Sequence, residues 1–295
     1  MKGFEEVRAS IIIPTYNRSK LLDYTLRSIT KQTIDLKTIE IIVVDDGSSD
    51  DTLEIVKKYQ KYLMLKYYFQ EDKGYRVASA RNIGIRHSQS DILIFIDCGV
   101  LLGSACIKAH IKFHESNAGL VAGLGYVYGW DQFEKDQVNL LSLINVNNVD
   151  SSISNFRSQA IFLDMRESLY KLTNDHLNDL PAPWSFFITC NISIKRSSLM
   201  LTGLFDEKFD GHWGVEDLEL GYRFHKKGGL LFVIRTADSI HYPHDPDMSH
   251  KFRDEVTNKL YFHRKFPCIE TELFLSSTFL ELNKKVSLAI CKTSV

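Results

Sequence analysis

No stretch of this 295-residue chain is apolar for long enough to cross a bilayer. The longest aliphatic runs, such as ILIFI at 92–96, fall far short of the roughly 20 residues that a spanning helix needs. Nor does the N-terminus, MKGFEEVRAS, carry the apolar segment of a secretory leader. Any membrane contact is therefore expected to be peripheral, at the inner face. Charge of one sign is missing too. With 36 Lys and Arg against 37 Asp and Glu the net charge is −1, which argues against an electrostatic grip on nucleic acid or on an anionic surface. Cysteines are few: Cys98, Cys106, Cys190, Cys268 and Cys291. Their spacing fits no zinc pattern and their odd number argues against a disulfide framework, which predicts reduced thiols and a cytoplasmic protein. Repeats, low-complexity tracts and Gly/Ser- or Pro-rich linkers are also absent, so the length predicts one composite domain. What remains, 44% hydrophobic and 25% charged residues, is the composition of a soluble globular protein.

Within that composition the first hundred residues alternate. SIII (10–13), IEIIVVDD (39–46), LKYYF (65–69) and DILIFID (91–97) read as strands, and the second and fourth are apolar enough to be buried on both faces. Between them, residues 21–32, 48–62 and 74–88 carry helical periodicity, the second behind capping residues and the third opened by Gly74. Strand–helix alternation predicts βαβ units, a mostly parallel central sheet and helices on both faces. A helix is expected at 104–116. Residues 131–180 look polar and irregular, with a helical stretch near 161–173, and this region together with GLGYVYGW (123–130) is the candidate for a moving lid. A strand at 230–234, a loop HYPHDP (241–246) and a helix at 249–266 complete the reading.

Ligands of such sheets bind beyond the carboxyl ends of the strands. The residues found there are Pro14-Thr15-Tyr16-Asn17-Arg18, Asp45-Asp46-Gly47 and Asp97-Cys98-Gly99. Asp46 suits either a turn or a hydrogen bond to a nucleotide base or ribose. Arg76 and Arg81 either solvate a helix or reach a phosphate or base; Ala78, Ser79 and Ala80 around Arg81 suggest close packing. Asp97 suits a ribose or a divalent cation, with His241 and His244 as candidate co-ligands. In HWGVEDLELGYRF (212–224), Glu216 and Asp217 open a helix behind Trp213 and Gly214. Acids in a first turn complement the helix dipole. An apolar platform and a second carboxylate would also raise the pKa of one of them, which is how an acid is tuned for general-base work.

Taken together, SIIIPTYNRSKLLDYTLRSITKQT, IIVVDDGSSDDT, GYRVASARNIGI, ILIFIDCGV, NISIKRSSLMLTGLFDEKF, GVEDLELGYRF and IHYPHDP resemble the inverting family-2 nucleotide-sugar glycosyltransferases. The second half resembles the galactosyltransferase-type segment of chondroitin-polymerase-like enzymes. The resemblance implies a GT-A (Rossmann-like) α/β domain over 1–266, with a nucleotide-sugar half at 9–125, an acceptor half at 126–245 and a helical extension at 246–295. It implies that Pro14, Tyr16 and Asp46 hold uracil and ribose, with Arg18, Arg76, Arg81 and Asp97 completing the nucleotide-sugar site. Asp97 would be the first acid of the family's DxD motif and His241, with His244 beside it, the late metal ligand. Asp217 would be the base and Glu216 its neighbour, while Asn191, Trp213 and Gly214 would line the sugar and acceptor pocket. The implied donor is a UDP-sugar, and the acceptor a glycan, lipid carrier, peptide or small molecule. The pattern departs at Gly99, where the second DxD acid is expected. Mn²⁺ or Mg²⁺ would then rest on Asp97, His241 and the diphosphate, or bind weakly and need high metal concentration, or basic residues would replace it. Two rival readings stand beside this one: a sugar nucleotidyltransferase, and a nucleotide-sugar-binding module without activity, which Gly99 favours and the intact Glu216-Asp217 pair opposes.

Overall fold

Three consecutive isoleucines set the pattern. In β1 (Ala9–Thr15), Ile11 and Ile13 point to one side of the sheet and Ile12 to the other, as the two-residue period of a strand requires. All three are fully buried, so the strand has no polar face, and the same holds for β2 (Ile39–Asp45) and β4 (Ile92–Ile96). The computed structural model describes residues 6–130, 137–244 and 248–293. Between these strands lie α1 (Ser19–Ile29), α2 (Thr52–Tyr59), β3 (Met64–Phe69) and α3 (Val77–His87). Then follow β5 (Val100–Leu102), α4 (Cys106–Ser116), β6 (Val121–Tyr128), α5 (Gln137–Leu143), α6 (Val149–Gln159) and α7 (Glu167–Leu172). The last third contains β7 (Asn191–Lys195), α8 (Arg196–Thr202), α9 (Glu216–Lys226), β8 (Leu230–His241), α10 (Met248–Lys265), α11 (Ile269–Phe274) and α12 (Phe279–Thr293).

The strands form one eight-stranded sheet in the order β3-β2-β1-β4-β7-β6-β8-β5. The first four positions are parallel, β7 runs antiparallel between β4 and β6, and β5 pairs antiparallel with β8. This is the expected α/β architecture. The order reverses between β1 and β4, which is where a sheet of this kind opens a crevice for a ligand. On one face Leu22, Leu26, Ile29 and Val56 from α1 and α2 pack on Ile11, Ile41 and Ile94. On the other, Ala78, Ile85, Leu220 and Phe224 from α3 and α9 pack on Ile12, Leu93 and Phe95. A further core joins α9 to the C-terminal helices: Trp184, Val215, Leu218, Tyr222, Phe262, Phe274, Leu282 and Val286 are buried together. No helix among the described residues is long and apolar enough to cross a membrane.

The lid reading fails at residues 123–128. They belong to β6, buried along its whole length. Gly123 and Gly125 are there for close approach, not for motion: a Cβ at Gly125 would stand 2.2 Å from Asn191 Nδ2 and 2.6 Å from Ala237 O. The region after it is also more ordered than its polar composition suggests. α5, α6 and α7 each place residues in the core, including Leu140, Phe156 and Tyr170, and the expected helix near 161–173 shrinks to Glu167–Leu172. Residues 131–136 lie outside the described residues, as do 245 and 246 of the expected loop. The strand expected at 230–234 extends to His241, and the helix expected from Gly74 begins only at Val77. Gly125→Ala is expected to destabilise the fold by about 1–3 kcal/mol through overpacking. Chemical denaturation checks this, and an unchanged midpoint would mean that the segment yields as a loop does.

Candidate active site

Arg81, on the buried side of α3, holds the site together. Its side chain is almost fully enclosed. Nη1–H donates to Glu216 Oε1 at 2.6 Å and Nη2–H to Asp97 Oδ1 at 3.1 Å. One planar guanidinium thus spans from the end of β4 to the first turn of α9. Asp217 reaches the same place along the main chain. The Asp97 N–H donates to Cys190 O (3.3 Å), and the preceding Thr189 donates to Asp217 Oδ2 through its N–H (3.2 Å) and its hydroxyl (3.3 Å). Asp97, Glu216 and Asp217 therefore converge although about 120 residues separate the first from the others. Burial, and then the charge of Glu216, push the Asp217 carboxyl up to about 7, against the pull of Arg81.

The loops after β1 and β2 border this cluster. Asp46 lies just past β2, its N–H on Thr15 O (2.9 Å); Oδ2 accepts the Arg76 N–H (2.7 Å), and Oδ1 meets the Gln70 amide and the Arg76 guanidinium. Burial raises its carboxyl above the usual range. Its neighbour Asp45 is the turn residue, accepting from Gly47 and Ser48 N–H groups at 3.1 and 2.7 Å. Tyr16 stands at the rim, 44% exposed, with its hydroxyl on Asp72 (2.9 Å), and Pro14 is half-buried near the end of β1. Arg18 precedes α1, and no carboxylate among the described residues pairs with it. Among the described residues, three buried polar atoms here have no partner: Arg76 Nε, Arg81 Nε and Glu216 Oε2. Buried polar atoms are rarely left so unless something else satisfies them.

The turn after β4 explains the glycine at position 99. The Val100 N–H closes back on Asp97 O at 3.0 Å, and Gly99 sits at φ +102°, a conformation that an aspartate adopts only with strain. The pairing of β5 with β8 sets His241 opposite Val100, and the Tyr242 N–H donates to Gly99 O (3.0 Å). His244 lies against His241 with ring centroids 5.2 Å apart and has Nδ1 on Tyr242 O. Burial, then His244, Arg18 and Lys251, push His241 down to about 3; burial and then Arg18 lower His244. Both rings are therefore neutral near neutral pH and offer lone pairs. Among the described residues no three His, Cys, Asp or Glu side chains form a ready metal cluster. The donors present, one carboxylate and neighbouring imidazoles, still fit a divalent cation of the Mg²⁺ or Mn²⁺ kind, because such ions are held by one or two protein ligands plus the phosphates of a substrate.

Other expected residues fare differently. Asn191 is fully buried and faces the interior; its amide bonds His110, Ala237 O and Ser239 at 2.8–3.0 Å. It joins β7 to β8 and does not line a pocket. Trp213 is half-buried, with Lys251 Nζ 5.0 Å from its ring centre. Gly214 has φ +85°, and Val215 follows at φ +78°, a left-handed conformation that costs a β-branched residue about 1–3 kcal/mol. Glu216 and Asp217 come directly after this strained pair. Tyr126, Tyr128, Trp130 and Trp184 are core residues, as their neighbours suggest. Tyr75, Thr189, Asp254 and Asn258 were not legible as site residues. Tyr75 is pinned by Gly211 N–H on its carbonyl (2.7 Å), and its phenol is pushed well above its usual range by burial and by Glu216, with Asp97 and Asp217 also facing it. Its only signal in the sequence is its place beside Arg76.

Residues 10–199 match Glycosyl transferase family 2. The chain belongs to that family. It is 38% identical over 269 residues to the validoxylamine A glucosyltransferase of Streptomyces hygroscopicus subsp. jinggangensis (strain 5008), covering 91% of this chain and 63% of that protein. To the chondroitin synthase of Pasteurella multocida (strain Pm70) it is 33% identical over 244 residues, covering 80% of this chain and 25% of that one. The chain thus spans less than two thirds of the length of these relatives. Its fold is that of the GT-A glycosyltransferases. It superposes with a TM-score of 0.61 and 17% identity on the mannosyltransferase PcManGT from Pyrobaculum calidifontis in complex with GDP-Man and Mn²⁺, over 97% of this chain and 76% of that one. For Staphylococcus aureus TarS 1-349 in complex with UDP the TM-score is 0.57 at 18% identity, over 92% and 76%. In this chain the pairing of Arg81 with Glu216 ties α3 to the start of α9. Arg81→Met is expected to cost about 3–5 kcal/mol, because it strands a buried carboxylate. Urea denaturation would show this, and a wild-type midpoint would contradict it.

Proposed function

We propose that the protein transfers a hexosyl or N-acetylhexosaminyl group from a UDP-sugar to an acceptor hydroxyl with inversion at the anomeric carbon, Asp217 acting as general base. The observation that carries this reading is the convergence of Asp217, raised toward neutral pH, with Asp97 and Arg81 at the mouth of the sheet. At pH near 7 such a carboxyl is divided between its two forms and can take the proton of an attacking hydroxyl. Thr189 fixes one oxygen of Asp217 and the Leu218 N–H (2.8 Å) the other, so the base is oriented before substrate arrives. The unpartnered Glu216 Oε2 and Arg81 Nε are suited to hydroxyls or phosphate oxygens of donor and acceptor. The loop of Asp46, Arg76 and Tyr16 is the place for the nucleoside. Asp97 and His241 would hold a divalent cation, Mn²⁺ or Mg²⁺, which would supply counter-charge for the leaving diphosphate. Arg18 and Arg81 add fixed positive charge on the same side.

Support for the donor class comes from the relatives and neighbours, which include a glucosyltransferase and a protein crystallised with UDP. UDP-glucose and UDP-N-acetylglucosamine are therefore the first donors to test, with Mn²⁺ and with a polyhydroxylated acceptor, a glycan or a small cyclic polyol. Release of UDP identifies a transferase, binding without release an inactive module, and pyrophosphate release from UTP and a sugar phosphate a nucleotidyltransferase.

Asp217→Asn is expected to lower turnover by about 10²–10⁴-fold, the usual worth of a general base, while UDP still binds with wild-type affinity in a calorimetric titration. Turnover close to that of the wild type would remove Asp217 from this role. The base works only when deprotonated, so activity is expected to fall as pH drops through about 7. Removing the adjacent charge with Glu216→Gln lowers the Asp217 pKa, and the acid limb of the kcat profile is then expected to move to lower pH. A limb that stays in place or moves up would contradict the assignment.

A further inference from the structure

We propose that Asp254 and Asn258, one turn apart on α10, are positioning residues for Asp217: they clamp the main chain of residues 212–214 and so hold the left-handed turn from which Glu216 and Asp217 emerge. The inference rests on the reading of Asp217 as base. Asn258 is 1% exposed, and its Nδ2 donates to both His212 O (3.1 Å) and Gly214 O (2.7 Å). Asp254 Oδ2 accepts the Trp213 N–H (3.2 Å), and its Oδ1 lies 3.1 Å from His212 Nδ1. Three successive residues of the loop are therefore tied to one helix through their own backbone atoms.

Two features make this more than docking of a surface helix. The first is where the bonds fall. α10 already has an apolar anchor: Phe262 sits edge-on to Trp184 and Tyr222, with centroids 5.5 and 5.4 Å away. Lys265 adds ion pairs to Asp206 and Glu219 at 2.6 and 2.7 Å. The Asp254 and Asn258 contacts add nothing to that anchor and all fall on residues 212–214, just before the acids. The second is strain. Gly214 and Val215 are consecutive left-handed residues at φ +85° and +78°, and such a turn persists only where its surroundings over-determine it. A Cβ at Gly214 would meet nothing within 4 Å, so packing does not fix that peptide; the Asn258 bond does. Without it the turn keeps only the packing of the buried Val215 side chain against its strain. The first turn of α9 would then rotate, and Asp217 would leave its seat on Thr189.

The test uses the full chain. Asn258→Asp keeps the shape and removes both N–H donors, and Asp254→Ala is a second, independent break. Asp254→Asn keeps an acceptor for the Trp213 N–H and serves as the conservative rescue. Each variant is examined for UDP affinity by calorimetry, for kcat and KM with the UDP-sugar, and for amide hydrogen exchange at 212–217. Both breaking variants are expected to lose about 100-fold in kcat, the scale of a 1 Å misplacement, with KM and UDP affinity unchanged and exchange faster at 212–217 only. Asp254→Asn is expected to stay near wild type, as is Phe252→Ser on the solvent face of the same helix, where the ring is 75% exposed. Unchanged kcat and loop exchange in a folded Asn258→Asp would overturn the proposal, and so would a loss shared by UDP affinity and by exchange across the core. If the wild type turns over no UDP-sugar, the reading of Asp217 fails on its own, and the exchange at 212–217 still decides the clamp.

Discussion

A single guanidinium decides where the two halves of the chain meet. Arg81 is buried, and its two terminal nitrogens are spent on carboxylates that lie about 120 residues apart in the sequence. Replacing such a pair by apolar residues is often neutral or stabilising in other proteins, because removing charges from water is expensive. Stability is therefore a poor explanation for it. What the geometry achieves is register: the planar fork accepts Glu216 and Asp97 only at a fixed separation, and the crevice between them inherits that separation. Neighbouring contacts on α3 repeat the connection. Asn82 exchanges bonds with both backbone groups of Phe205, at 2.9 and 3.0 Å, and Asp210 accepts the Ala78 N–H at the helix start (3.2 Å). Three residues of one short helix thus tie the early loops to the segment that carries the acids.

The acids themselves arrive under strain. Helix α9 begins directly after Val215, and a left-handed β-branched residue at a helix entry is held by its surroundings, not by its own preference. The surroundings here are the buried cluster shared by α9 and the three C-terminal helices, together with the polar bonds from α10. The C-terminal helices are in this sense continuous with the segment that precedes β7: Trp184 donates to Glu270 at 2.9 Å, and Asn283 reaches Ala182 and Ser185. Rigid placement of a carboxylate whose pKa is raised by enclosure demands such backing, because any loosening admits water and returns the acid to its ordinary range.

Much of this was legible in the residues. Strands buried on both faces announce themselves as unbroken apolar runs, which is why β1, β2 and β4 and the site loops behind them could be read directly. The paired acids of α9 stood out for the same kind of reason, being unusual in their place. β6 was missed because its two glycines mimic a flexible loop, whereas their purpose is to let Asn191 and β8 come close. Asn191 was misread as a pocket residue since a polar side chain at a strand start carries no mark of which way it points. Asp254 and Asn258 leave no pattern at all. They form an ordinary i, i+4 polar pair on a helix, and what they bind lies more than forty residues earlier in the chain.

The glycine at position 99 shows how far local backbone geometry constrains chemistry. A motif with two acids would place a side chain at a residue whose φ is +102°, in a turn closed by Val100 on Asp97. This chain keeps the turn and gives up the second carboxylate. The charge left to Asp97 is in turn shared with Arg81, which occupies one of its oxygens. The cationic side of the crevice correspondingly gains weight through Arg18, which has no carboxylate partner among the described residues, although both histidines nearby are held neutral and add no charge. With one acid instead of two opposing a diphosphate, less protein negative charge has to be offset. On the proposed reading, a departing nucleoside diphosphate relies more on fixed arginine charge than it would beside two carboxylates.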